Sequence, residues 1–248
     1  MGKIAIITGA SRGIGAATSI RLANDGFDIC VNYLANKEAA ESVVALAKLT
    51  GVRAIAVQAD ISDEDQVKTL FAVVDKELGS PCALVNNAGI LFQQCRLIHM
   101  SAERINQVLS TNVTGYFLCC KEAVLRMSTK RGGSGGVIVN VSSAASRTGA
   151  AGEYVDYAAS KGAIDTLTIG LANEVAEEGI RVNAVRPGLI YTDMHASGGE
   201  PGRVERLKDS LPLKRGGRVE DVAAAIAWLI GDESSFTTGG FIDVSGGR

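Results

Sequence analysis

Apolar residues along this chain follow two alternating rhythms. Short runs rich in β-branched residues, such as Lys3-Ile-Ala-Ile-Ile-Thr8, are separated by longer stretches whose apolar positions recur every three or four residues. The first rhythm marks buried strands and the second amphipathic helices. Strand-like runs fall at 3–8, 27–33, 53–58, 82–86, 137–141, 180–186 and 241–244, with helical periodicity between them. Strict alternation predicts an α/β, doubly wound fold of about seven parallel strands with helices on both faces, in a single domain spanning 1–248.

Details of the pattern set further expectations. Ser62 with Asp65 three residues later reads as the start of a helix carrying Val67, Leu70, Phe71, Val74 and Leu78. Another helix begins near Ser101 and puts Ile105, Val108, Leu109, Val113, Tyr116, Phe117 and Cys120 on one face. Asn112 falls on that apolar stripe, where an unpaired amide would cost roughly 1–3 kcal/mol. It can satisfy a local break in the backbone, and a relay or water-holding role behind Tyr157 is compatible with that. Residues 191–215 hold few apolar positions and weak periodicity, as expected of a substrate lid.

The first strand runs directly into Gly9-Ala-Ser-Arg-Gly-Ile-Gly15 and then a helix. Strand, glycine turn and helix place backbone N–H groups and a helix N-terminus against a phosphate, the Rossmann-type arrangement for a dinucleotide. The second strand ends in Asn32-Tyr33-Leu34-Ala35-Asn36-Lys37, with no acid before Glu38. An acid there reads a ribose 2′-OH. Its absence, with Arg12 in the turn, favours NADP over NAD, although NAD remains compatible. Asp60 and Asn87 follow the third and fourth strands, where ligands bind in open α/β sheets.

Tyr157 and Lys161 are four residues apart on a helical stripe continued by Ile164, Leu167, Thr168, Leu171 and Val175. A free phenol is only about 0.1% ionised at neutral pH. A Lys ammonium at ~4–5 Å would favour the phenolate by about 2–3 pKa units, making Tyr157 a general acid/base. Ser143, past the preceding strand, could donate a hydrogen bond to a substrate oxygen. Taken alone, a Tyr-x-x-x-Lys pair is common by accident, and its meaning comes from this setting.

The composition narrows the function classes. Of 248 residues, 46% are hydrophobic, which supports a sizeable core, and the net charge of −2 gives no footing for nucleic acid or an anionic membrane. Five cysteines, an odd number without a Cys-x-x-Cys pair, read as free thiols. Only two histidines, His99 and His195, stand far apart, so no metal site is expected. With no signal peptide and no apolar run approaching 18 residues, a cytoplasmic protein is expected.

Thr8-Gly-Ala-Ser-Arg-Gly-Ile-Gly15, Asn86-Asn-Ala-Gly89, Asn112, Ser143, Tyr157-x-x-x-Lys161 and Pro187-Gly188 with Thr192 occur in an order that resembles the short-chain dehydrogenase/reductase family across the whole chain. The branch most similar is that of bacterial sugar (glucose-type) dehydrogenases and 3-oxoacyl-carrier-protein reductases. The resemblance implies a dinucleotide held by Gly9, Ser11, Arg12, Gly13, Ile14, Gly15 and Asn32. Asp60 and Ile61 would hold the adenine. Asn87, Ala88 and Gly89 would line the ribose and nicotinamide side, and Pro187, Gly188, Ile190 and Thr192 would fix the carboxamide. Catalysis would rest on Tyr157, with Lys161 lowering its pKa, Ser143 orienting the substrate and Asn112 completing a relay. It also implies a homotetramer. Two features depart from the family: one extra residue between Gly149 and Tyr157, and Leu34 where relatives that use a 2′-phosphate often carry Arg. Interconversion of a secondary alcohol, a sugar or polyol, and its carbonyl is the expected activity. A 3-oxoacyl thioester reductase or a non-catalytic dinucleotide sensor are the alternatives.

Overall fold

The computed structural model describes residues 2–248. Seven strands, β1 (Lys3–Ile7), β2 (Phe27–Tyr33), β3 (Ala54–Gln58), β4 (Ala83–Asn86), β5 (Gly136–Val141), β6 (Ile180–Pro187) and β7 (Phe241–Val244), form one parallel sheet in the order β3-β2-β1-β4-β5-β6-β7. Between them lie α1 (Gly13–Asn24), α2 (Lys37–Lys48), α3 (Glu64–Glu77), α4 (Ala102–Leu109), α5 (Gly115–Met127), α6 (Ala145–Thr148), α7 (Val155–Val175), α8 (Met194–Ser197), α9 (Arg203–Leu207) and α10 (Val219–Ile230). The strand order reverses between β1 and β4, which opens a crevice at their C-terminal ends.

Side chains alternate across the sheet with period two. In β1, Ala5 and Ile7 join a core built from Leu22 of α1, Val43 and Val44 of α2, and Ile226 and Leu229 of α10. Ile4 and Ile6 join the opposite core with Leu70 and Phe71 of α3, Tyr116 and Cys120 of α5, and Ile164 of α7. Burial on both faces is why the strands read as continuous apolar runs. All five cysteines are free thiols. No described helix is long and apolar enough to cross a membrane.

Two expectations need correction, and a third gains detail. Asp63, not Ser62, caps α3: its carboxylate accepts from the N–H groups of Asp65 (2.9 Å) and Gln66 (3.1 Å). An anion serves the positive helix end better than a hydroxyl, and the Ser62 hydroxyl instead donates to Asp60 at 2.7 Å. Leu109 and Phe117 are 39% and 51% exposed instead of joining the stripe of Val108, Tyr116 and Cys120. Residues Ser110–Thr114 form a π-helical turn between α4 and α5, and the wider turn rotates the residues around it away from a 3.6-residue period. Segment 191–215 is folded. Val204 and Leu211 bury against Leu189 and Leu207, and Arg203 bridges Glu153 and Glu200. Its helices have only four or five residues, too few to print a stripe on the sequence.

Candidate active site

At the C-terminal end of β1 the chain turns sharply through Gly9, in the left-handed region (φ +59°). A Cβ there would sit 2.7 Å from the Ala88 backbone, so only glycine lets the turn pack against the end of β4. Helix α1 then starts at Gly13 with no side-chain cap and no acid in its first turn. By contrast, α2 is capped by Asn36, α3 by Asp63 and α4 by Ser101. The uncapped N-terminus therefore offers its N–H groups to an external anion.

This turn forms one end of a cleft of about 1020 Å³, lined by Gly9, Ser11, Arg12, Gly13 and Ile14. Its walls include Asn32, Asp60, Ile61, Asn87, Ala88, Gly89 and Thr192. Two amides brace it from behind. Asn32 accepts from the Gly9 N–H (3.2 Å) and donates to the Ala59 carbonyl (3.0 Å). Asn87 donates to the carbonyls of Thr8 (2.9 Å) and Gly9 (3.1 Å). The polar ends of Asn32 are thus committed to the backbone, and it shapes the cleft more than it reads a ligand. Gly15 does not line the cleft. It lies where a Cβ would approach Asn87 Nδ2 to 2.5 Å, so it serves packing of α1 on the sheet, not phosphate contact.

Ile14, Asn87, Leu91, Thr192 and Met194 are shared with a second chamber of about 130 Å³. Here β5, α7 and the end of β6 bring together Ser143, Tyr157, Lys161, Pro187, Gly188 and Ile190. The neighbouring Ser142 is turned inward, donating to Asp165 at 2.7 Å, which leaves Ser143 as the serine facing Tyr157. Asn112 lies behind the chamber on the π-helical turn. Its oxygen accepts from Ile90 N–H (2.8 Å), and its nitrogen donates to the Ile90 carbonyl (2.9 Å) and Ser160 (3.1 Å). These bonds satisfy the Asn112 amide at the local break in the backbone. Asn112→Ala should lower unfolding free energy by about 2–3 kcal/mol, through loss of the Ile90 and Ser160 bonds. Denaturant titration checks this; a change below ~0.5 kcal/mol would refute it.

The electrostatics of the pair differ from the sequence expectation. Burial pushes the Tyr157 phenol up to about 12, with a hydrogen bond involving Ser143 pulling the other way. Burial also pushes Lys161 down to about 7. Its Nζ donates to the Val141 carbonyl at 2.7 Å and to the Tyr116 hydroxyl at 3.3 Å, and lies 5.6 Å from the centre of the Tyr157 ring. Burial thus outweighs any support that Lys161 gives the Tyr157 phenolate. An amine that sheds its own charge near neutrality offers a phenolate little support when the phenol would ionise.

The rest of the chamber comes from residues that sequence periodicity did not single out: Leu91, Glu153, Tyr154, His195, Arg203 and Arg248. They lie in the stretches 90–98, 144–155 and 191–215 or at the C-terminal end, and only folding brings them to one wall. Tyr154 offered a signal, standing three residues before Tyr157, at the N-cap of α7. His195 pairs through Nε2 with the Ile190 carbonyl at 2.9 Å, and burial holds its pKa below the usual value.

Comparison with known proteins agrees with this geometry. A family model described as enoyl-(acyl carrier protein) reductase matches residues 9–248. The chain is 62% identical over 245 residues to the uncharacterized oxidoreductase YgfF of Escherichia coli (strain K12), covering 99% of each. It is 39% identical over 247 residues to the 3-oxoacyl-[acyl-carrier-protein] reductase FabG of Staphylococcus aureus (strain Mu50), covering 100% of this chain and 98% of that one. Among solved structures, an NAD+-bound xylitol dehydrogenase superposes with TM-score 0.90 at 32% identity, covering 99% of this chain and 98% of the other. A blue fluorescent protein from a metagenomic library in complex with NADPH gives TM-score 0.89 at 36% identity, covering 99% and 97%. A glycine turn at an uncapped helix, a cleft along the strand ends and a Ser/Tyr/Lys cluster beyond it complete the comparison: the chain belongs to the short-chain dehydrogenase/reductase family and is an NAD(P)-dependent oxidoreductase acting on CH–OH groups.

Proposed function

We propose that this enzyme interconverts a secondary alcohol of a sugar or polyol and the corresponding carbonyl, with NADP preferred over NAD. The observation that carries the reading is the Ser143–Tyr157–Lys161 cluster in a small chamber opening onto the 1020 Å³ cleft. Gly9, Ser11, Arg12, Gly13 and Ile14 would hold the pyrophosphate and adenosine end of the dinucleotide. Asp60 and Ile61 would hold the adenine, and Asn87, Gly89, Lys161, Pro187, Gly188, Ile190 and Thr192 the nicotinamide end. When bound, the dinucleotide supplies or accepts the hydride. Ser143 donates a hydrogen bond to the substrate oxygen, and Tyr157 gives that oxygen its proton in reduction and takes it in oxidation. A phenol whose pKa burial raises is kept as the proton-bearing acid at neutral pH. Segment 191–215, with Met194, His195 and Arg203 on the chamber wall, acts as the substrate lid.

The small chamber favours a short, polar substrate. Identity to a 3-oxoacyl-carrier-protein reductase supports the second reading, a 3-oxoacyl thioester. Initial rates at 340 nm decide between them. NADP+ and NAD+ are offered with aldoses and polyols, and NADPH and NADH with ketones and 3-oxoacyl thioesters. Turnover of polyols is expected; turnover of thioesters alone would overturn the reading.

Cofactor choice rests on Arg12. Its guanidinium is 4.0 Å from Asp193, and both side chains are largely exposed, so the pair is weak and leaves Arg12 free for a 2′-phosphate. The segment Leu34-Ala35-Asn36 on the cleft wall carries no carboxylate of its own. Arg12→Ala should cut the NADPH-to-NADH ratio of kcat/KM by about tenfold, the loss of one charge-assisted contact. An unchanged ratio would refute the role.

A further inference from the structure

We propose that Tyr154, backed by the Glu153–Arg203 ion pair, is a specificity-determining residue that hydrogen-bonds a second hydroxyl of a polyhydroxylated substrate; this rests on the polyol reading above. Tyr154 is 8% exposed, and its ring meets that of Tyr157 edge-on, with centroids 5.9 Å apart at 85°. The Tyr154 hydroxyl is not among the buried unpartnered polar atoms, so it opens into the chamber where a ligand can reach it. It takes no hydrogen-bond partner among the described residues, although it shares the chamber with Tyr157 and Ser143.

The wall behind it is polar and rigid. Arg203, only 4% exposed, pairs with Glu153 at 2.6 Å and Glu200 at 3.1 Å, and its guanidinium lies 5.5 Å from the centre of the Tyr154 ring. Glu153 uses one carboxylate oxygen for this pair, and its other oxygen has no hydrogen bond among the described residues. The chamber wall thus presents an unclaimed acceptor and an unclaimed phenol together. A hydroxyl, which both donates and accepts, satisfies both. A carboxylate substrate is disfavoured, because two glutamates already balance Arg203. An apolar acyl chain would leave these groups unpaired, and a site built for a hydroxyl discriminates strongly against its absence.

The test compares 2,3-butanediol and xylitol with 2-butanol in the wild type, Tyr154→Phe and Glu153→Gln, by initial rates at 340 nm with either oxidised cofactor. Tyr154→Phe is expected to lose at least about tenfold in kcat/KM on the diol or polyol, mainly through KM, and to stay within about twofold on 2-butanol. Glu153→Gln should shift the same ratio in the same direction, and it provides the answer if the phenylalanine variant does not fold. Equal losses on both substrate types, or no loss, would overturn the proposal while leaving the polyol reading intact. A wild type that turns over thioesters but no diol or polyol would overturn both.

Discussion

Tyr157→Phe is expected to lower kcat by about a thousandfold or more while leaving dinucleotide binding within a fewfold of the wild type. Tyr157 is the acid in the chamber that bears a mobile proton at neutral pH, and positioned acid/base catalysis is worth roughly 10²–10⁴. Ser143 can hold the substrate oxygen without replacing that proton, because its own hydroxyl is far too weak an acid. Phe fills the same space against Tyr154 and keeps the edge-on ring contact. Folding should therefore change by less than about 1 kcal/mol, which is the scale of one hydrogen bond. Turnover by absorbance at 340 nm and binding by quenching of protein fluorescence separate the two effects. A variant that keeps even a tenth of wild-type kcat would sink the assignment of Tyr157 as the proton carrier. The raised phenol pKa adds a direction: alcohol oxidation should accelerate as pH rises from neutrality, since the basic form is scarce below about 12.

Lys161 produces the second large effect, on stability. Burial lowers its pKa from 10.5 to about 7. Below pH 7 both the folded and unfolded chains carry the proton, and the folded state bears the full cost of a buried ammonium. Between about 7 and 10.5 the unfolded chain binds a proton that the folded chain does not. The Lys161 contribution to stability should therefore rise with pH through this window, by up to about 1.4 kcal/mol per unit. The thiols of Cys30, Cys119 and Cys120, which burial raises from 9.0, oppose it above about pH 9. Tyr157, raised from 10 to about 12, opposes this only above pH 10, where the unfolded phenol ionises first. Lys161→Met should flatten the rise and leave the protein a few kcal/mol more stable at pH 7, less about 1 kcal/mol for the lost Val141 bond. Urea midpoints at pH 7, 8 and 9.5, at fixed protein concentration, provide the check. Parallel profiles for the two proteins would show that Lys161 keeps its charge when folded. Activity of the variant should fall as well under the proposed function, since Lys161 shares the chamber with Ser143 and Tyr157.

Much of the site was legible before folding because its pieces are local. The glycine turn, the Tyr157/Lys161 spacing and Ser143 each depend on neighbours within a few residues, and backbone geometry translates their spacing directly into position. Strands β2 and β7 match their sequence bounds because apolar runs bounded by turns mark them cleanly. The α4–α5 face was misread at Leu109 and Phe117 because a π-helical turn leaves no mark in a hydrophobic pattern built on 3.6 residues. The segment around Arg203 was opaque for another reason. Its partners Glu153 and Gln94 lie 50 or more residues away, and ion pairs of that range carry no period.

Sequence by itself determined the alternation of strands and helices, the glycine turn and the spacing of Ser143, Tyr157 and Lys161, because each follows from short-range spacing and side-chain chemistry. Tertiary structure alone decided three things. It closed Asn112 onto Ile90 and Ser160, it assembled Tyr154, Glu153 and Arg203 into one chamber wall, and it set the protonation of Tyr157 and Lys161. The reason is common to all three: pairing, cavity shape and desolvation depend on which distant groups arrive in the same low-dielectric space, and spacing along the chain does not encode that.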